Sequence, residues 1–155
     1  MIYLALKYVH VIGAAVLLGT GTGIAFFMLM AHLSRDVAFI ARTAATVVLA
    51  DLMFTLSAMI LQPATGYLLT LELGIPLTEF WVWTSLALYV VAGCFWLPVV
   101  WMQARMRDLA MAAATAGAPL PHAYHRLFRL WFVFGFPGFG AVAVIVWLMI
   151  AKPVL

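Results

Sequence analysis

The sequence predicts an all-α fold, an integral membrane four-helix bundle with the N- and C-termini outside, on the periplasmic side. Three observations carry this. Hydrophobic residues make up 68% of the 155 positions and charged residues only 8%, where a soluble domain carries roughly a quarter charged residues. The mean hydropathy is +1.17. The apolar residues gather into four blocks, each long enough to cross a hydrocarbon core that takes about 20 helical residues. One transmembrane domain, residues 1–155, absorbs the whole length.

The helices are expected at roughly 2–33, 43–70, 80–103 and 127–151. The first block is too long for the apolar region of a signal peptide and reads as a span. A linker around Ser34–Arg42 holds Arg35, Asp36 and Arg42. The second block follows, then a linker with Glu72 and Glu79, where Gly74 and Pro76 form the turn. The third block leads into Ala104–Arg126, which holds Arg105, Arg107, Asp108 and Arg126 and the breaker Gly117-Ala118-Pro119-Leu120-Pro121. The fourth contains Gly135, Pro137, Gly138 and Gly140. Pro63, Pro98 and Pro137 are places where a helix loses a backbone hydrogen bond and bends.

Charge asymmetry orients the chain. Arg35, Arg42, Arg105, Arg107, Arg126 and Arg129 flank the first and third linkers, and the second linker is acidic. The positive-inside rule places the arginines in the cytoplasm and the acidic linker outside. The net charge of +3 therefore points to anionic lipid headgroups and not to nucleic acid. The lone Cys94 has no intrachain disulfide partner and reads as buried packing.

Ionisable groups at membrane depth are costly and mark functional sites by default. Lys7 and His10 sit one helical turn apart in an otherwise apolar segment. Ala14, Leu17 and Gly21 continue that face. Gly13, Ala14 and Gly21 leave room above His10 for a flat macrocycle or a neighbouring backbone. Lys7, His10, Gln62 and Lys152 all fall towards the outer half of a four-helix bundle. Tyr3, Tyr67, Trp81, Trp83 and Trp147 lie at similar depth, as an aromatic belt or as the walls of a quinone pocket. An imidazole beside a cation suits an anionic, metal-bearing cofactor. The leading candidate is haem b, with His10 on the iron, propionates against Lys7 or Lys152, and a methionine (Met28, Met53, Met59 or Met149) as a sixth ligand.

Two further constellations lie nearer the inner side. Asp51, in the second helix, is expected to be protonated or paired with His32, His125 or Arg129, pinning helices or relaying protons. His32 and His125 come from the inner ends of the first and fourth helices, where they are candidates for a second metal site. Motifs for covalent haem attachment, a P-loop, a dinucleotide fingerprint and a zinc protease are missing.

Leu6-Lys7-Tyr8-Val9-His10-Val11-Ile12-Gly13, Gln62-Pro63-Ala64-Thr65-Gly66, Trp96-Leu97-Pro98-Val99-Val100 and Met149-Ile150-Ala151-Lys152-Pro153 resemble a bacterial family of predicted integral membrane proteins of unknown function, over essentially the whole chain. That resemblance implies a multi-pass protein of the bacterial inner membrane. At the level of fold, the chain is also similar to the HemJ-type protoporphyrinogen oxidases and to CopD-type copper-resistance proteins. The Lys-x-x-His of Lys7 and His10 is similar to the HemJ opening, which implies haem b on His10, with Lys7 beside it, and a porphyrin-linked oxidoreductase; a homodimer is expected. The third helix lacks the lysine of the HemJ type. From the sequence, then, the function is haem-linked electron transfer or a quinone- or porphyrin-linked redox step. The alternatives are a non-enzymatic subunit packing through Gly19/Gly23 and Gly135/Gly140, and a metal or small-solute permease.

Overall fold

The computed structural model describes residues 1–153. Four long apolar helices alternate in direction: α1 (Ile2–Ser34), α2 (Val37–Leu73), α3 (Phe80–Thr115) and α4 (His122–Ala151). No strand occurs among the described residues. The helix count and order are those the sequence predicts.

The boundaries differ in an instructive way. α2 begins at Val37, six residues earlier than expected, because Asp36 caps it. The Asp36 carboxylate accepts a hydrogen bond from the Phe39 N–H at 3.0 Å, satisfying a donor the helix itself leaves free. α3 runs on to Thr115 and α4 starts at His122, so most of the supposed third linker is helical. The apolar block ends at Gln103, but the buried face does not: Met102, Met106, Ala110 and Ala113 are buried at spacings of four, four and three, one side of a helix. The arginines and aspartate between them occupy the other side.

The connections are short and end in left-handed backbone. Arg35 closes α1 at φ 59°, Gly74 closes α2 at φ 63°, and Gly117 follows α3 at φ 61°. At Gly74 the N–H bonds Leu71 O and the next N–H, of Ile75, bonds Thr70 O. These two bonds satisfy the last carbonyls of α2 in the manner of a Schellman turn, where glycine is favoured. Pro63, Pro98 and Pro137 all lie inside helices that continue through them.

The interior is uneven along its length. The continuous core lies towards the arginine-bearing end, where Met28, Ile40, Met106, Tyr124 and Trp131 pack together. Towards the other end, which carries the N-terminus, Lys152 and the α2–α3 connection, the interior is cavity and hydrogen bond. Much of the remaining apolar surface faces outward, as with Phe27, Leu52, Val90, Val133 and Phe136. That is the surface a bilayer covers. Cys94 belongs to this outward surface, which corrects its reading as buried packing: it projects from α3 on the side away from the other helices.

α2 is interrupted at mid-length by a π-helical turn, Asp51–Thr55. The turn brings both of its end residues, Asp51 and Thr55, into the interior while Leu52, Met53 and Phe54 face outward. Such single π turns are frequent at functional sites.

Candidate functional site

His10 is presented by α1 and held by α2. Its Nδ1 lies 2.8 Å from Thr65 Oγ1. The Thr65 hydroxyl itself donates to Leu61 O, one turn back, at 2.7 Å. Having given up its proton there, Thr65 Oγ1 acts as acceptor, so His10 Nδ1 is the donor. With Nδ1 as donor, a neutral ring carries its hydrogen there and keeps a lone pair on Nε2. Metal-binding histidines are oriented by such a bond from the other ring nitrogen.

The neighbouring turn reinforces the placement. Gln62 Nε2 donates to the His10 backbone carbonyl at 2.6 Å. Two glycines allow the approach. A Cβ on Gly13 would overlap the Gln62 amide, and one on Gly66 would come within 3.2 Å of His10 Cε1. Gln62, Thr65 and Gly66, at spacings of three and one, share one face of α2 and together grip one residue of α1. The space beside Gly13, expected to admit a macrocycle, is filled by the Gln62 side chain. The room for the His10 ring comes instead from Gly66.

Around this grip lies a cavity of about 290 Å³. All four residues singled out for a cofactor, Lys7, His10, Gln62 and Lys152, line it, as does Met149. The two ammonium groups approach aromatic faces: Lys7 Nζ is 5.7 Å from the Tyr3 ring centroid, and Lys152 Nζ is 5.4 Å from that of Trp81. Both distances are within cation–π range. Tyr3, Tyr67 and Trp81 contribute to the wall, whereas Trp83 and Trp147 are exposed on the outer surface. The Tyr89 hydroxyl donates to Met59 O and ties α3 to α2 beneath the cavity.

The inner histidines are brought together in part. His32 and His125 have ring centroids 5.7 Å apart, edge to face. His32 lies flat on Phe128, centroids 3.7 Å apart at 11°. Among the described residues no group of three or more His, Cys, Asp or Glu side chains is placed to hold a metal ion.

Asp51 does not pair with His32, His125 or Arg129, which corrects that expectation. The ion pair found among the described residues is Arg107–Asp108, at 2.8 Å. Asp51 instead faces α3, where Trp96 Nε1 donates to its Oδ1 at a long 3.4 Å. Depth is the reason: α2 begins at Val37, so Asp51 lies 14 residues, about 21 Å, beyond the inner end where the histidines sit.

Sequence reasoning missed Thr65 as the partner of His10. The signal was present in the spacing of Gln62, Thr65 and Gly66, which puts an amide, a hydroxyl and a gap on one helix face.

Four long apolar helices around polar side chains and an apolar cavity define an integral, multi-pass membrane protein. A family model described as predicted integral membrane protein (DUF2269) matches residues 4–153, and the chain belongs to that family. No curated protein and no solved structure matches it.

Proposed function

We propose that this membrane protein binds haem b in the cavity lined by Lys7, His10 and Lys152, and serves electron transfer or a quinone- or porphyrin-linked redox step. The observation that carries the reading is the hydrogen bond between His10 Nδ1 and Thr65 Oγ1. Thr65 holds the ring at Nδ1 and His10 lines the cavity, which leaves Nε2 as the nitrogen available to a ligand. Neutral imidazole with an oriented second nitrogen is what an iron site requires.

The donor set fits the group. His10 Nε2 would be the axial ligand. Met149, in the same cavity, offers a thioether of the kind that serves as a sixth ligand. Lys7 and Lys152 would face the propionates, and the apolar wall would exclude water. The bound iron would supply one-electron chemistry, with its potential set by axial ligands and surrounding dielectric. Thr65 and Gln62 hold the ring and the backbone of His10 and do not themselves touch the iron.

The distribution of arginines supports a chain in the bacterial inner membrane with Lys7 and Lys152 towards the periplasmic side. The site would then exchange electrons near the outer surface.

The test is the absorption spectrum of protein purified from haem-replete cells, oxidised and dithionite-reduced, beside His10→Ala. The expected result is a Soret band with reduced α and β bands, lost in the variant. A colourless wild-type protein overturns the reading.

A second reading has its own observation. Gly19, Gly23, Gly135 and Gly140 have nothing within 4 Å of a built Cβ. These small-residue faces are open to another helix, as a homodimer or a subunit of a larger assembly would need. Co-purification of two differently tagged copies, abolished by Gly23→Leu, is the result expected of that reading.

A further inference from the structure

A second cavity, of about 280 Å³, lies deeper in the bundle between α1, the π turn of α2, α3 and α4. Its wall is mostly apolar, with Phe95, Phe134 and Phe139 among the contributing rings. Yet four polar side chains that line it, Asp51, Thr55, Gln103 and Trp131, are each at least 94% buried. Each of the four presents an atom with no hydrogen-bond partner: Asp51 Oδ2, Thr55 Oγ1, Gln103 Oε1 and Trp131 Nε1. Buried polar groups are nearly always satisfied, and exceptions call for an explanation. The four belong to side chains from three helices that border one space.

We infer that this cavity is a binding site for a lipid-soluble quinone, in its oxidised and reduced forms. The chemistry of the four atoms makes the choice. Trp131 Nε1–H can only donate and Gln103 Oε1 can only accept; the Thr55 hydroxyl does either, and so does the Asp51 carboxyl when protonated. To meet them all a ligand must both donate and accept: a quinol's hydroxyls do both, and the carbonyls of the oxidised quinone accept from Trp131, Thr55 and protonated Asp51. A lipid acyl chain satisfies none of the four. Water beside the four polar side chains would satisfy them but would leave the phenylalanine-lined part of the cavity unfilled. A flat ring with oxygens at its edge and an apolar tail meets both parts of the wall. Phe132, Phe136 and Phe139 line the cavity and are exposed on the outer surface, so the site adjoins the region where such a molecule dissolves. Asp51 and Thr55, four residues apart at the ends of the π turn, share the same inward face.

This site is separate from His10, and its occupancy does not rest on the haem reading. The full-length protein in lipid nanodiscs is photolabelled with a short-tailed azidobenzoquinone, with an unlabelled short-tailed benzoquinone as competitor. Adducts are mapped by peptide mass spectrometry. Saturable labelling is expected on α3 and α4 around Phe95 and Phe134. Trp131→Phe should weaken half-saturation by the quinone probe about tenfold, the loss of one hydrogen bond, and Gln103→Leu should weaken competition by the corresponding quinol to the same extent. Trp83→Phe, on the outer surface, should leave it unchanged. The same two cavity substitutions should raise the thermal midpoint of the ligand-free protein, because each removes an unsatisfied buried atom; a purely structural role would lower it. Asp51→Leu is the reserve variant should either one fail to fold. Labelling that is non-saturable and spread over the lipid-facing surface, or no labelling at all, overturns the inference, as does saturable labelling indifferent to the variants. None of these readouts involves haem, so a colourless protein that binds the probe separates the two proposals.

Discussion

Thr65→Val tests the grip on His10 while changing very little volume. The hydroxyl accepts from His10 Nδ1 at 2.8 Å and donates to Leu61 O at 2.7 Å. Valine keeps the shape and removes both bonds. The Leu61 carbonyl remains within its helical turn, so the main loss falls on the imidazole, whose N–H loses its acceptor. Leaving a partly buried donor without a partner costs about 1–3 kcal/mol. Removing the outer partner of a metal-bound histidine costs about 10–100-fold in affinity, which is about 1.4–2.7 kcal/mol. The two estimates agree. Haem titrated into the apoprotein in detergent, followed at the Soret band, should show binding weakened by that factor. Thr65→Ser, which restores an acceptor at the same place, should recover most of it. The fold itself should be perturbed less, because interhelical hydrogen bonds in membranes average about 0.6 kcal/mol. Unchanged affinity in Thr65→Val, with the fold intact, would refute the argument that Thr65 sets the tautomer of His10.

Gly13→Ala and Gly19→Ala should shift stability in opposite directions. The first drives a methyl group into the Gln62 amide and breaks its bond to His10 O, costing about 1–2 kcal/mol, while the second meets nothing and gains about 0.5–1 kcal/mol of helix preference. Thermal unfolding in detergent compares the two directly. Asp36→Ala removes the carboxylate that caps α2 and should lower stability by about 1 kcal/mol in the same assay. Arg35→Gly relieves a left-handed backbone at φ 59° and should raise the melting midpoint, by the equivalent of about 1 kcal/mol. Reporter fusions at the C-terminus should be active in alkaline phosphatase form and dark as a green fluorescent protein, as the arginine distribution requires; the reverse pattern would invert the orientation.

The four spans were legible because lipid demands long apolar stretches and linkers admit charge. The grouping of Lys7, His10, Gln62 and Lys152 was legible for the same reason, since polar side chains at similar depth on antiparallel helices have few places to go. The helix ends were harder. Apolar content falls at Gln103, but a helix leaving the membrane needs only one buried face, and Met106, Ala110 and Ala113 supply it. The partner of Asp51 was illegible because the expected start of α2 fell six residues late, which set Asp51 too close to the inner histidines. Thr65 was passed over because a threonine inside a span ordinarily bonds its own helix. It does so here, to Leu61, and its second capacity, as acceptor to His10, is visible only once α1 lies beside α2.

The core described above lies at the level of the arginines. Met28, Ile40, Met106 and Tyr124 pack where Arg35, Arg42, Arg105 and Arg126 mark the edge of the bilayer. α3 is about 54 Å long at 1.5 Å per residue, against a hydrocarbon layer on the order of 30 Å, so this packing extends to the watery margin. There, expulsion of water drives helices together, a force unavailable among lipid tails. The protein is therefore built like a tuning fork: a handle fused by the hydrophobic effect on one side of the membrane, and prongs joined by sparse hydrogen bonds on the other. The prongs are free to part by small amounts without loosening the handle. Molecules that arrive sideways from the bilayer would enter at the prongs.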